Sequence, residues 1–569
     1  MMRKHRRPLL VLTAVASALA LVATGCASER EDGAAEERNE SEPFIFAGAG
    51  DMRSLDPILA SDGETFRVAR QAYETLLRHE PGGTEIVPGL AHDWEQSDDG
   101  TEWTFFLEED VTFHDGEEFN ADAVCANFER WYNFEGIYQS QSVSYYWTTL
   151  FGGFADNDED LDLPDPNFAG CTPEDEHTVT IEVEEYSPDY PGAFSMIALG
   201  MMSPAAIEEM EGEDIEGDPD DPAYPEYSQE VGTVAGTGPY EFVDWDHDAR
   251  EVEMQRFDDY WDEDRAAQIQ TIIFQTIEDE NARMQALQSG DIHGYDLVAP
   301  ADVQNLQDEG FEVPERGVFN ILYLAFVQDD AGFEEREDAA EALSDPDVRR
   351  ALAHAVDRQN IVDSLLPEGG EVATQFMPDT LDGWSDDVPT YDHDPELAEE
   401  LLADAGYEDL TLDFCYPTEV TRPYMPSPQD IFEFITHDLE EVGIEVEPDS
   451  YEWTQYIPHT ESGGCSLYLL GWTGDFNEAY NFLGTWFADY RPAWGHDSDA
   501  IFDTLDEAAA EPNAEDRVAL YEEANEVIME ELPGLPISSS PPSIAFAPDI
   551  DPPTVSPLTQ EEFAETSFE

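Results

Sequence analysis

Two short loops carry the residue types needed to recognise a small, doubly charged molecule. Thr421-Arg422-Pro423-Tyr424-Met425-Pro426 contains the only Lys or Arg between Gln359 and Tyr490, a span crowded with carboxylates. A guanidinium is a rigid planar fork that grips a carboxylate through two parallel hydrogen bonds. Gly471-Trp472-Thr473-Gly474-Asp475-Phe476 sets Asp475 in aromatic and glycine-rich surroundings, suited to an ammonium. Together the loops describe a pocket for a zwitterion: Arg422 for a terminal carboxylate, Asp475 for a terminal amine, and Tyr424, Trp472 and Phe476 as apolar wall. Each charged residue also has a plainer reading. An Arg in so acidic a chain suits a local carboxylate, and an Asp in a loop suits solvent.

The background charge gives Arg422 its weight. The 569 residues include 132 Asp+Glu against 23 Lys+Arg, for a formal net charge of −109, and Lys4 is the single lysine. Such a chain repels nucleic acid and anionic lipid, since phosphate binding needs Lys/Arg neutralisation. It also repels itself unless salt screens it, which predicts a protein working in concentrated salt. The acids are spread along the whole chain rather than gathered in repeats, which argues against a cation-storage matrix. Forty-one per cent hydrophobic residues suffice for packed cores, and the length implies two or three domains.

The N-terminus reads as a targeting segment. Arg3-Lys4-His5-Arg6-Arg7 is a positive start, Leu9 to Val22 is apolar but too short to span a membrane, and Ala23-Thr24-Gly25-Cys26 resembles a bacterial lipobox, although Leu is commoner where Ala23 stands. Residues 1–25 are therefore expected to be a signal peptide. Cys26 is expected to carry lipid, and 26–42 to be a flexible tether. Removing the signal leaves 19 bases, all arginine. An extracytoplasmic location permits disulfides. Cys125, Cys171, Cys415 and Cys465 allow three pairings. No close Cys/His spacing supports a metal site, and the acidic loop from Asp156 lacks the Gly and Glu of a calcium loop.

Several elements that would position the two loops are legible. Phe44-Ile45-Phe46-Ala47 reads as a strand, and Glu64 to Arg78 as a helix with Phe66, Ala69, Tyr73, Leu76 and Leu77 on one face. Asp345-Pro346 and Asp394-Pro395 start helices, the acid capping and the proline at the first helical position. Leu410 to Cys415 is a strand ending at the Arg422 loop, and Ser466 to Leu470 a strand delivering Asp475. No Ser-His-Asp order, zinc helix motif or nucleophile elbow is present, and carboxylates are too numerous for pairs of them to signal catalysis.

Pro88, Gly89, Leu90, Ala91, Trp94, Ser97, Asp99, Gly100, Phe105, Leu107, Val111, Phe113-His114-Asp115-Gly116, Phe119, Ala121 and Val124 form a long ordered pattern. It resembles the signature region of family-5 extracytoplasmic solute-binding proteins, the dipeptide, oligopeptide and nickel receptors of ABC importers. The departures, Glu108 and Glu109, stand where that family usually has Lys or Arg. Gly236-Thr237-Gly238-Pro239-Tyr240 resembles its turn back to the first domain. Val348, Arg349, Ala351, Leu352, Ala355, Asp357, Arg358 and Ile361 resemble a further family helix.

The resemblance implies an α/β, two-lobed periplasmic-binding-protein-like fold of the class II type, with an extra inserted domain and a cleft between the lobes. The implied division is 43–87, 230–298 and 533–569 as lobe I, 88–229 as the inserted domain and 299–532 as lobe III. Pairing within domains then favours Cys125–Cys171 and Cys415–Cys465. The two loops are similar to those of dipeptide-binding members, which implies that Arg422 grips a peptide carboxylate and Asp475 its α-ammonium. Tyr424, Trp472 and Gly471 would shape the pocket, and Gly63 and Thr65 would add contacts. The implied function is capture of di- or oligopeptides for an importer permease by a monomer held to the membrane only through its anchor. It involves no enzyme activity, no cofactor and no nucleic acid. A nickel chelate, glutathione or an oligosaccharide is the alternative guest, and a carboxylate-based hydrolase the alternative class.

Overall fold

The computed structural model describes residues 42–569 apart from 162, 211–214, 219–220, 334–335, 408–409 and 419. Cys26, the signal segment and almost all of the tether therefore lie outside the described residues. Three sheets organise the chain. The first runs in the order Tyr240–Asp246, Glu251–Arg256, Thr271–Thr276, Phe44–Gly48, Gly294–Asp296, Ile544–Phe546. The second runs Glu371–Val372, Gly534–Ser539, Asn320–Phe326, Leu467–Thr473, Thr411–Thr418, Glu445–Glu452. The third, within the expected inserted domain, is an antiparallel four-stranded sheet, Ala91–Gln96, Glu102–Leu107, Thr178–Val183, Phe168–Asp175.

The apolar cores follow this arrangement. One contains Phe46, Leu55, Ile272 and Phe546 of the first sheet's layer together with Phe105, Phe128 and Trp147 of the inserted segment, so those two regions share a core. The other surrounds Asn320–Phe326, a strand buried along its whole length. Such a strand reads as a continuous apolar run because neighbours cover both its faces. Disulfides join Cys125 to Cys171 and Cys415 to Cys465 across sequence separations of 46 and 50. In the chain-entropy view a closed loop of that length contributes about 4 kcal/mol.

Three expectations need correction. The helix that begins at Gly63 stops at Ala72. Gly238 donates its N–H to the Ala72 carbonyl, and a Cβ on Gly236 would lie 2.1 Å from that same oxygen. The chain turns extended there, and Leu77–His79 pairs with Ile86–Pro88 instead. Second, the lobe boundary does not fall at 299: Leu306 of the Pro300–Glu309 helix is buried in the first core, and Glu312 bridges to Phe546. Third, Gly534–Ser539 is not part of lobe I. It is wholly buried and pairs with Asn320–Phe326 in the second sheet.

The chain thus crosses between the two larger sheets before Asn320 and again after Ser539. The crossings are fastened to each other: the Asn320 amide donates to the Ser540 carbonyl at 2.7 Å and accepts from the Ser540 N–H at 3.2 Å. A buried ion network lies beside them. Arg316 donates to Asp296 at 2.6 Å and to Glu561 at 2.8 Å, and Arg67 pairs with Asp296 and Glu64. Burial opposes charge on Asp296, but Arg316 and Arg67 outweigh it and hold its pKa below the usual carboxylate range. Arg316→Met leaves two buried carboxylates short of a partner, and removing one member of such a pair costs about 3–5 kcal/mol. Urea denaturation should show a loss of that size; a loss below ~1 kcal/mol would place this network among weak, solvent-screened pairs.

Candidate functional site

The second sheet places the two loops side by side. Thr411–Thr418 is parallel to Glu445–Glu452 and to Leu467–Thr473. Adjacent parallel strands lie about 4.8 Å apart and end at the same edge. The Arg422 loop, Trp453 and the Asp475 loop therefore all issue from the carboxyl ends of neighbouring parallel strands, the edge where open α/β sheets form their binding crevices. The first crossing arrives at this edge too, since Asn320 pairs with Thr473.

Arg422 is fixed by its own turn. Its N–H and carbonyl exchange hydrogen bonds with Met425 at 3.1 and 3.0 Å. Its guanidinium stacks over the Trp453 ring, 4.0 Å from the centroid, close enough for a cation–π contact. Among the described residues it forms no ion pair, and its Nε is buried without a protein partner. Burial lowers its pKa below the ordinary guanidinium range, while Tyr424, Asp62 and Glu64 work against that shift. Tyr424 is buried and its hydroxyl pushed up to about 12 by desolvation. Its ring lies over Gly471, where a Cβ would approach Tyr424 Cδ2 to 2.5 Å. That contact joins the two loops and explains the glycine.

Asp475 is half-buried and held by neutral donors. Tyr146 Oη donates to Oδ1 at 3.0 Å and Asn481 Nδ2 to Oδ2 at 3.3 Å. Asn481 Oδ1 in turn accepts from the Asp475 N–H at 2.9 Å and from Trp472 Nε1 at 3.2 Å. Desolvation raises the Asp475 pKa to about 6 against these two hydrogen bonds. Asp475 also makes no ion pair among the described residues. The edge thus presents one cation and one anion, each partly desolvated and neither in an ion pair among the described residues.

The facing wall comes from the Gly63–Ala72 helix and the inserted segment. The Phe66 ring packs 5.5 Å from that of Tyr146, and Asp62 and Glu64 act electrostatically on Arg422. Gly63 is exposed at the first turn, with open space beside its Cα. Thr65 does not serve as expected. It is fully buried, its hydroxyl donates to Asp62 Oδ2 at 2.8 Å and accepts from the Arg53 N–H at 2.9 Å, so both functions are spent inside the helix cap. Phe476 is likewise no pocket wall: it is buried against Gly192 of the inserted segment. Tyr146, Asn481 and Trp453 escaped the sequence reading. Asn481 alone had a local signal, six residues beyond Asp475 in the same loop.

The model for bacterial extracellular solute-binding proteins, family 5 Middle, matches residues 85–494. The chain belongs to that family. Curated relatives include the dipeptide-binding protein of Escherichia coli (strain K12), 28% identical over 545 residues, covering 93% of this chain and 95% of the relative. Haem-binding protein A of Haemophilus influenzae is 26% identical over 562 residues, 94% of each chain. Among solved structures, a dipeptide-binding protein from Pseudoalteromonas sp. SM9913 in complex with Met-Leu superposes with a TM-score of 0.75 at 22% identity, covering 93% of this chain and 100% of that one. A periplasmic binding protein from Helicobacter pylori in complex with the peptide STSA gives 0.74 at 24%, covering 93% and 98%. The two-lobed family-5 fold follows, and with it the extracytoplasmic solute-binding character of this chain.

Proposed function

We propose that this family-5 solute-binding protein captures short peptides by both ends and presents them to the permease of an ABC importer. The observation that carries this is the pairing of Arg422 and Asp475 on one sheet edge, each desolvated and each lacking an opposite charge. Leaving a buried charge unpaired is costly, so such a site gains most from a guest that brings both missing charges. A peptide's terminal carboxylate answers Arg422 and its α-ammonium answers Asp475. Tyr424 and Trp472 border the space between, and Gly63 offers a helix N-terminus opposite. The names of the dipeptide- and di/tripeptide-binding relatives point the same way. Hinged closure at the two fastened crossings would shut the cleft on the guest. Anchoring through acylated Cys26 would keep the receptor at the outer face of the membrane.

Calorimetry on the purified protein tests the two charges separately. Arg422→Ala should weaken a dipeptide by on the order of 100-fold, the usual scale for truncating one side of a buried charged pair. Asp475→Asn should penalise free-amine peptides far more than N-acetylated ones. Undiminished binding by the Arg422 variant, or equal losses for both peptide types, would overturn the assignment.

Proton linkage offers an independent check. Only the ionised Asp475 attracts an ammonium, and only the protonated peptide amine is one, so affinity should be highest near pH 7, fall about tenfold per unit well below pH 6, and decline again above about pH 8 as the peptide amine loses its proton. Asp475→Asn should abolish the acid-side fall, whereas a flat wild-type profile down to about pH 5 would contradict the carboxylate's role.

The charge balance further supports a salt-dependent fold. Self-repulsion among surface acids should destabilise the protein in dilute buffer and fade as the Debye length contracts to about 3 Å near molar salt. Melting temperatures measured across that range should rise steeply; equal values at both ends would remove this part of the reading.

A further inference from the structure

One side chain of the Asp475 loop is buried in the core of the opposite lobe. Among the described residues, the first apolar core takes one member from the stretch 319–539, and that member is Phe476. Ala479 and Phe482, a few residues on, belong to the second core. The Phe476 side chain is 2% exposed. It lies directly on Gly192 of the inserted segment, where a Cβ would stand 2.2 Å from Phe476 Cγ and 2.4 Å from Cδ2. The backbone at Gly192 is not left-handed, so the glycine answers to this close approach and not to its own conformation.

Around the ring the two sides meet through separate polar contacts. Tyr146 of the inserted segment donates to the Asp475 carboxylate at 3.0 Å, and Gln560 Nε2 donates to the Asp475 carbonyl at 3.5 Å. Arg517, on the Ala514–Glu531 helix, donates to Tyr186 Oη of the inserted segment at 3.1 Å. Water can replace each of these hydrogen bonds when the lobes part. It has no equivalent for the ring, whose exposure costs apolar burial outright. A cavity bordered by Phe476, Pro188, Pro191 and Arg517 runs beside the ring, so this is a seam between two bodies and not a continuously packed core. Phe476 also follows Asp475 directly in the chain. Seating the ring therefore places the carboxylate proposed to hold the guest's ammonium.

We propose that Phe476 is the closure latch of this receptor. The ring docks on Gly192 when the cleft shuts, stabilises the closed state whatever the guest, and leaves its socket when the cleft opens. This rests on the hinged peptide capture proposed above and adds to it a positioning residue that does not touch the guest.

Single-pair fluorescence transfer between dyes on exposed positions of the inserted segment and of the lobe built on the second sheet reads the ratio of closed to open protein without any guest. Phe476→Ala should lower that ratio about tenfold or more, the scale of burying one phenylalanine side chain. Gly192→Ala should lower it as well, by filling the socket from the other side. The double variant should be no more open than Phe476→Ala alone, because alanine at 476 leaves no ring for the new methyl to strike. In calorimetry, Phe476→Ala should weaken Ala-Ala and Phe-Phe by one common factor, since a smaller closed population reduces every apparent affinity alike. An unchanged closed-to-open ratio, a lower melting temperature without any change in closure, or unequal losses for the two dipeptides would each overturn the latch. Failure of the wild type to bind either dipeptide would count against the peptide reading alone, and the guest-free ratios would still decide the latch.

Discussion

A chain with 132 acids and 23 bases cannot neutralise its carboxylates pair by pair, so the placement of its arginines constrains everything else. Several of them are buried. Arg358 donates to the carbonyls of Ala373, Pro536 and Tyr391, tying three separate segments together. Arg349 holds the Leu343, Glu531 and Leu532 carbonyls, and Arg283 those of Ile277 and Glu278. Five donors in a fixed fork suit this work, and a carbonyl partner avoids burying a second full charge. Where carboxylates are buried with arginine, as in the Glu64–Arg67–Asp296–Arg316–Glu561 chain, the location is the junction of the two large sheets. Asp56 with Arg130 and Glu74 with Arg265 are further buried pairs.

That junction and the candidate cleft are two aspects of one edge. The same register that sets Asn320 opposite Thr473 brings the first crossing alongside the Asp475 loop. Asn320 then holds Ser540 of the second crossing. A rotation about the crossings would therefore pivot close to the bound guest, moving the opposing helix and the inserted segment over Arg422 and Asp475. Tyr146 already reaches across in this way, donating to Asp475 from the inserted segment. The closing lobe thus contributes a donor to the anionic end of the cleft.

Much of this was legible in the residues. Asp345 and Asp394 cap their helices as their positions announce. Arg422 stood out because the chain carries so few cations. What stayed hidden depends on distant partners. Tyr146 lies 329 residues from Asp475, and nothing local marks it. The apolar period continues through Tyr73, Leu76 and Leu77, so the helix looks longer than it is; only the close backbone approach of Gly236 and Gly238 breaks it. The run from Leu535 to Phe546, rich in Ser and Pro between its apolar ends, is almost wholly buried, yet it belongs to two sheets. Pro541-Pro542, unable to donate to a ladder, was the available sign of the break.

An unpaired arginine in so acidic a molecule needs an explanation, because Asp62 and Glu64 stand close enough to influence it. Each is already held by partners of its own. Asp62 accepts from the Thr65 N–H and hydroxyl, and Glu64 from the Ala49 N–H and Arg67. Leaving those arrangements for Arg422 would uncap the Gly63–Ala72 helix or strip a charge from the junction network. The guanidinium is instead stacked on Trp453, an apolar face that orients it without satisfying its donors. A zwitterionic guest also carries no net charge, so the long-range field of the acidic surface neither drives it off nor draws it in. Holding such a guest then falls to contacts at the two fixed charges. Salt screens those least, because both are partly withdrawn from water.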